Sequence, residues 1–222
     1  MLLESFLPAA APPALLACVA VGALMLSDYR AWRIGRFLFK PLAAAAFLWL
    51  ALRLDATQTA YGSWLLGGLA CCALGDLLLM PDDERAFLAG LGAFLIGHLL
   101  YSAAFLQLPL NPAGSLLSAL PALLLLTLVL RWLLPHVPGN MRLPVALYVV
   151  VITAMLVTAG ATAGQALAPL AIIGAWCFAL SDVAVARRQF VSRSRASALW
   201  GTPLYFFAQM LIAASVAFAA GA

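Results

Sequence analysis

The sequence predicts an all-α, polytopic integral membrane protein: a single bundle of eight transmembrane helices spanning residues 1–222, both termini on the non-cytoplasmic side. Three observations predict it. Of 222 residues, 66% are hydrophobic and 9% charged, against roughly 25% charged in an average soluble domain. Eight apolar runs, each near the roughly 20 residues that a helical crossing needs, fill the chain. The basic residues, finally, fall almost wholly in alternate connections. A secreted disulfide scaffold, a nucleic-acid binder and a soluble cytosolic enzyme are excluded by the same composition.

The first run, 12–28, opens on Pro12 and Pro13 and ends before Tyr29-Arg30. The second, 37–54, follows Arg30, Arg33 and Arg36, and the third, 62–80, stops at Pro81. The fourth, 86–107, places Phe87, Gly90, Phe94, Gly97 and Tyr101 on one face, where the glycines permit close helix approach. The fifth, 113–134, is Leu-rich all round (Leu116, Leu117, Leu120, Leu123) and is expected to face lipid. The sixth (143–161), seventh (165–184) and eighth (199–220) complete the set. Their length and continuous rather than alternating hydrophobicity read as helix, not barrel strand. No signal peptide is expected, since Glu4 stands where a basic segment would be.

Charge placement tests that count. With eight spans, the odd-numbered connections hold Arg30, Arg33, Arg36, Arg85, Arg131, Arg142, Arg187, Arg188, Arg193 and Arg195, which is ten. The opposite face holds Arg53 alone. By the positive-inside rule the arginine-rich face is cytoplasmic. Cys18, Cys71, Cys72 and Cys177 lie inside apolar runs, without zinc or disulfide spacing, and read as small buried hydrophobes.

Four ionisable groups interrupt the spans: Lys40, Asp76, His98 and Asp182. Each costs about 2.5–3.5 kcal/mol at a helix centre on insertion scales, and such groups normally face the bundle interior. Direction of travel puts Lys40, Asp76 and Asp182 near the cytoplasmic side and His98 near mid-membrane. Lys40 could pair with Asp76 or snorkel to the headgroups. Two carboxylates in one apolar pocket divide into a proton donor and an ionised base, which suits hydrolysis through an oxocarbenium-like state. The same residues suit proton relay in a transporter, so enzyme and transporter stay level on these residues. No G-x-S-x-G supports a serine hydrolase. With His136 in a loop between prolines, too few ligands remain for zinc; neither metal nor cofactor is expected.

Several ordered pieces carry a resemblance. They are Lys40-Pro41-Leu42, Gly75-Asp76-Leu77-Leu78-Leu79-Met80, Phe87-x-x-Gly90-x-x-x-Phe94-x-x-Gly97-His98-x-x-Tyr101, Leu143-Pro144-x-x-x-Tyr148, Gly174-x-x-x-Phe178-x-x-Ser181-Asp182 and Tyr205-x-x-Ala208-Gln209. Together they resemble the YhhN-like membrane proteins, which include the lysoplasmalogenases, across about residues 40–212. Val183 and Phe206 depart from the usual pattern, which bears on substrate preference more than on reaction class.

The resemblance implies a membrane hydrolase that cleaves the vinyl ether of lysoplasmalogens to a fatty aldehyde and glycerophosphoethanolamine or glycerophosphocholine. It carries the essential aspartates onto Asp76 and Asp182. On that basis Asp182, nearer the basic seventh connection, is expected to be the ionised partner and Asp76 the acid. Lys40 is expected to meet the lipid phosphate or tune the pair. His98, Tyr101, Tyr148, Tyr205 and Gln209 are expected to line the cavity and bind substrate. The expected partners are a lysophospholipid and the bilayer, with no nucleic acid, and an arginine-rich, lysine-poor chain suggests a bacterial inner membrane.

Overall fold

Among the described residues, eight helices are long and apolar enough to cross a membrane. The computed structural model describes residues 2–81, 83–192 and 195–219. Arg193, counted above, and Ala220, at the expected end of the last span, lie outside the described residues. The helices are α1 Leu2–Tyr29, α2 Arg33–Arg53, α3 Ala60–Leu78, α4 Glu84–Phe105, α5 Pro112–Leu133, α6 Arg142–Gly160, α7 Ala168–Ala186 and α8 Arg195–Ala214. No strand occurs among the described residues.

The largest departure from the expected boundaries is α1, which begins ten residues early and runs through Pro8, Pro12 and Pro13. Proline removes a backbone donor and ordinarily ends a helix. Here the apolar stretch is continuous from Phe6, and in lipid any non-helical backbone would strand unpaired polar groups, so the helix persists. α7 begins three residues later than expected, because Ala161–Leu167 make a turn in which Gly164 takes φ +95°, open to glycine. Beyond Ala186 the chain widens into a π-helical turn, Arg187–Val191, and beyond Ala214 it tightens into a 3₁₀ turn, Ser215–Phe218.

Helix starts are set by local chemistry. Thr59 Oγ1 accepts from the Gly62 N–H (3.0 Å), Asp83 Oδ2 from Ala86 (3.0 Å) and Asn111 Oδ1 from Gly114 (3.1 Å). Each supplies a partner to a donor that the first turn leaves orphaned.

Successive helices pair as hairpins, and glycines set their separation. A Cβ on Gly97 of α4 would lie 2.8 Å from Cys72 Sγ and 3.2 Å from the Gly68 carbonyl of α3. On Gly160 of α6 it would lie 2.7 Å from the Gly114 carbonyl of α5. Backbones this close gain dispersion along their whole length, which drives helix association where the solvent is as apolar as the side chains. α5 exposes Leu116, Leu117 and Leu120 on one face, as expected of a lipid-facing helix. Its other face, with Gly114, Ser118, Ala122, Val129 and Leu133, is buried. The core holds Phe47, Leu65, Leu69, Tyr101, Met155 and Phe178, all fully buried.

Candidate active site

At the end of the bundle that holds the odd-numbered connections, α2 through α8 surround a cavity of about 140 Å³. At roughly 10–15 Å³ per water, it has room for on the order of ten waters. Lys40, Asp76, Tyr148, Asp182 and Tyr205 line it, with an apolar wall that includes Leu126, Val129, Val145 and Val149. Both aspartates thus meet one space. His98, Tyr101 and Gln209 do not line it; they are fully buried behind its wall.

Asp76 stands in the last turn of α3, with its side chain 3% exposed. Lys40, two turns into α2, turns inward: Nζ donates to the Asp76 carbonyl at 2.9 Å and lies 3.2 Å from Oδ1. That carbonyl belongs to the last turn, where intrahelical partners run out, so one ammonium serves both the helix end and the carboxylate. Tyr205 of α8 donates to Oδ2 at 2.7 Å. Every one of these contacts comes from a donor, so Asp76 is built as an acceptor.

Asp182, four residues before the end of α7, is more open, at 14%. Tyr148 of α6 donates to its Oδ2 at 3.1 Å. His98 Nε2 lies 3.3 Å from the same oxygen, short of hydrogen-bond alignment. On the ring's other side, Nδ1 meets the Phe94 carbonyl at 2.7 Å. Phe178 stacks on the imidazole with centroids 4.2 Å apart, and Tyr148 meets it edge-on at 5.4 Å.

Deeper in the bundle, the Tyr101 hydroxyl donates to Gln209 Oε1 at 2.6 Å, and Gln209 Nε2 is buried without a partner among the described residues. Cys72 contacts the Tyr101 hydroxyl. Of the four cysteines read as buried hydrophobes, only Cys72 is buried: Cys18 is exposed and Cys71 and Cys177 are half-buried, because their helix faces turn toward lipid. At Cys72 the reading missed the polar neighbour that only the α3–α4 packing reveals. Phe178, noted in sequence only as a motif position, proves to be the ring against which His98 rests. The two carboxylates do not contact one another among the described hydrogen bonds; each has its own arm of partners. No three His, Cys, Asp or Glu side chains among the described residues are grouped to hold a metal ion.

Comparison with known proteins agrees with the sequence motifs. The YhhN family model matches residues 35–216. The chain is 35% identical over 208 residues to human lysoplasmalogenase TMEM86B, covering 91% of this chain and 84% of the relative. It is 36% identical over 166 residues to a lysoplasmalogenase of Mycobacterium tuberculosis, covering 70% of this chain but only 60% of the relative. Mouse lysoplasmalogenase TMEM86B is 32% identical over 203 residues, with 90% and 83% coverage. No solved structure matches. A family match over most of the chain, and over all the residues that build the cavity's two acidic arms, leads to one conclusion: the protein belongs to the YhhN family.

Proposed function

We propose that this chain hydrolyses the vinyl ether bond of lysoplasmalogens, yielding a fatty aldehyde and glycerophosphoethanolamine or glycerophosphocholine. The observation that carries the reading is one cavity walled largely by apolar side chains, with a carboxylate from α3 and one from α7 in its lining. The relatives' common name, lysoplasmalogenase, supports it.

The carboxylates divide the chemistry, and their surroundings favour the reverse of the division expected from the basic seventh connection. Asp182, more open and facing an imidazole, gives its proton to the vinyl β-carbon, forming a C–H bond and an oxocarbenium ion. Asp76, held by Lys40 and Tyr205, receives a proton from the water that adds to the α-carbon. The resulting hemiacetal breaks: Asp76 passes its proton to the glycerol oxygen, and the hemiacetal hydroxyl restores the proton of Asp182. One water is consumed and both carboxyls return to their starting state. Positioned proton transfer contributes roughly 10²–10⁴-fold, and a fixed carboxylate beside the cation adds electrostatic stabilisation.

The same reading puts the arginine-rich end in the cytoplasm, both termini outside, and the protein in a bacterial inner membrane as one bundle. The reacting ether then sits just below the headgroups. Purified protein in detergent, given alkenyl lysophosphoethanolamine, should release aldehyde detectable by mass spectrometry with no gradient present. Asp76→Asn and Asp182→Asn should each lose at least about 10²-fold in turnover. Full turnover in either variant, or no aldehyde from the wild type, sinks the proposal; the latter is what a transporter would give.

A further inference from the structure

We infer that His98 is a positioning residue that holds a proton in place at Asp182, acting through that carboxyl and never touching substrate. The inference rests on the hydrolytic reading for its catalytic consequence and on geometry alone for the arrangement itself.

The reasoning starts at the far side of the ring. A backbone carbonyl has no proton to give, so the 2.7 Å contact between Nδ1 and the Phe94 oxygen requires that Nδ1 carry one. A neutral imidazole then has only a lone pair at Nε2. That nitrogen is fully buried and has no hydrogen-bond partner among the described residues, and Asp182 Oδ2 lies 3.3 Å from it. A lone pair facing a carboxylate oxygen in a dry interior leaves two acceptors opposed and unsatisfied, which is costly. One further proton between Nε2 and Oδ2 removes the conflict, whether it resides on nitrogen or on oxygen. His98 and Asp182 therefore form a one-proton pair.

The ring is fixed for this task. Phe178 stacks on its face and Tyr148 meets it edge-on. Tyr148 also donates to Oδ2, so both of these contacts to the carboxyl use one oxygen. None of the described contacts falls on Oδ1, and Asp182 lines the cavity. To reach the vinyl carbon the proton on Oδ2 is carried to the cavity by rotation of the carboxyl, which then faces Nε2 with an unprotonated oxygen. The opposed acceptors are restored, so the pair recaptures the hemiacetal hydroxyl's proton as the hemiacetal breaks. His98 does not line the cavity, which sets it apart from a substrate-binding group.

Two measurements test this on the intact protein in detergent. Nitrogen-15 NMR of histidine-labelled wild type should show a protonated Nδ1 and a proton-sharing Nε2, and the Nε2 signal should move in Asp182→Asn. A bare Nδ1, or an Nε2 signal indifferent to Asp182→Asn, overturns the inference. In kinetics, His98→Gln keeps an amide donor near Oδ2 but cannot hand a proton back and forth. Its kcat should fall at least about 10²-fold with KM changed by less than threefold. A KM rise that accounts for the whole loss would instead make His98 a binding group and end the proposal. The NMR signature in a wild type that releases no aldehyde would leave the pair standing and remove the hydrolytic reading alone.

Discussion

Tyr205 donates its hydroxyl to Oδ2 of Asp76 across 2.7 Å, tying α8 to α3 through residues 129 positions apart. A hydrogen bond to a charged group contributes about 1.5–3 kcal/mol. Tyr205→Phe keeps the ring contacts with Phe94, Phe178 and Phe206 and removes only this bond. Thermal unfolding in detergent should register a loss of that size, and initial rates a reduced kcat with KM little changed.

Lys40 and Asp76 form a pair in which each would be stranded without the other. Removing one member of a buried pair costs about 3–5 kcal/mol. Lys40→Met should fall at or below the low end, because the lysine side chain is 22% exposed. Combining Lys40→Met with Asp76→Asn should recover much of the stability and none of the turnover. Melting curves of the two single variants and the double variant decide this, and additive losses would count against the pairing.

Two glycines on α4 should respond oppositely to alanine. A Cβ on Gly92 meets nothing within 4 Å, so Gly92→Ala should stabilise the helix by up to about 1 kcal/mol. On Gly97 it would press on Cys72 Sγ at 2.8 Å and on the Gly68 carbonyl at 3.2 Å. Overpacking of that kind costs about 1–3 kcal/mol. Gly97→Ala should therefore lower the melting temperature and disturb Tyr101 and Gln209 behind the site, while Gly92→Ala raises it.

Orientation in the membrane is open to chemical labelling. Gly139, in the arginine-rich connection before α6, is exposed and has open space around it, so a cysteine there fits. Gly139→Cys should resist a membrane-impermeant maleimide in intact cells and react in inverted vesicles. Labelling of intact cells would turn the bundle over and move both termini inside.

The eight spans were legible because hydropathy and charge are local properties, and the arginine asymmetry fixed their number. The start of α1 was not. Pro12 and Pro13 carry a strong local stop signal, and only apolar surroundings make the helix worth continuing through them. At the site, the Lys40–Asp76 pair could be anticipated from depth alone, since both residues lie near one end of adjacent helices. The contacts Tyr205–Asp76, Tyr148–Asp182 and His98–Asp182 could not be, because each depends on how helices rotate against one another. Periodicity likewise put His98, Tyr101 and Gln209 on inward faces. It does not distinguish a wall of the cavity from the layer behind it, which is where they stand.

Phe178 touches both acidic arms: its ring stacks on His98, and its centroid lies 5.5 Å from that of Tyr205 and 6.2 Å from that of Tyr101. One benzene ring thus joins two sets of polar contacts that Phe94 also bridges, its carbonyl meeting His98 and its ring Tyr205. A tilt of either arm would therefore press on the other. An amphiphile that nudges Tyr148 on entering would be felt at Asp76 through three ring contacts and one hydrogen bond, by way of His98, Phe178 and Tyr205.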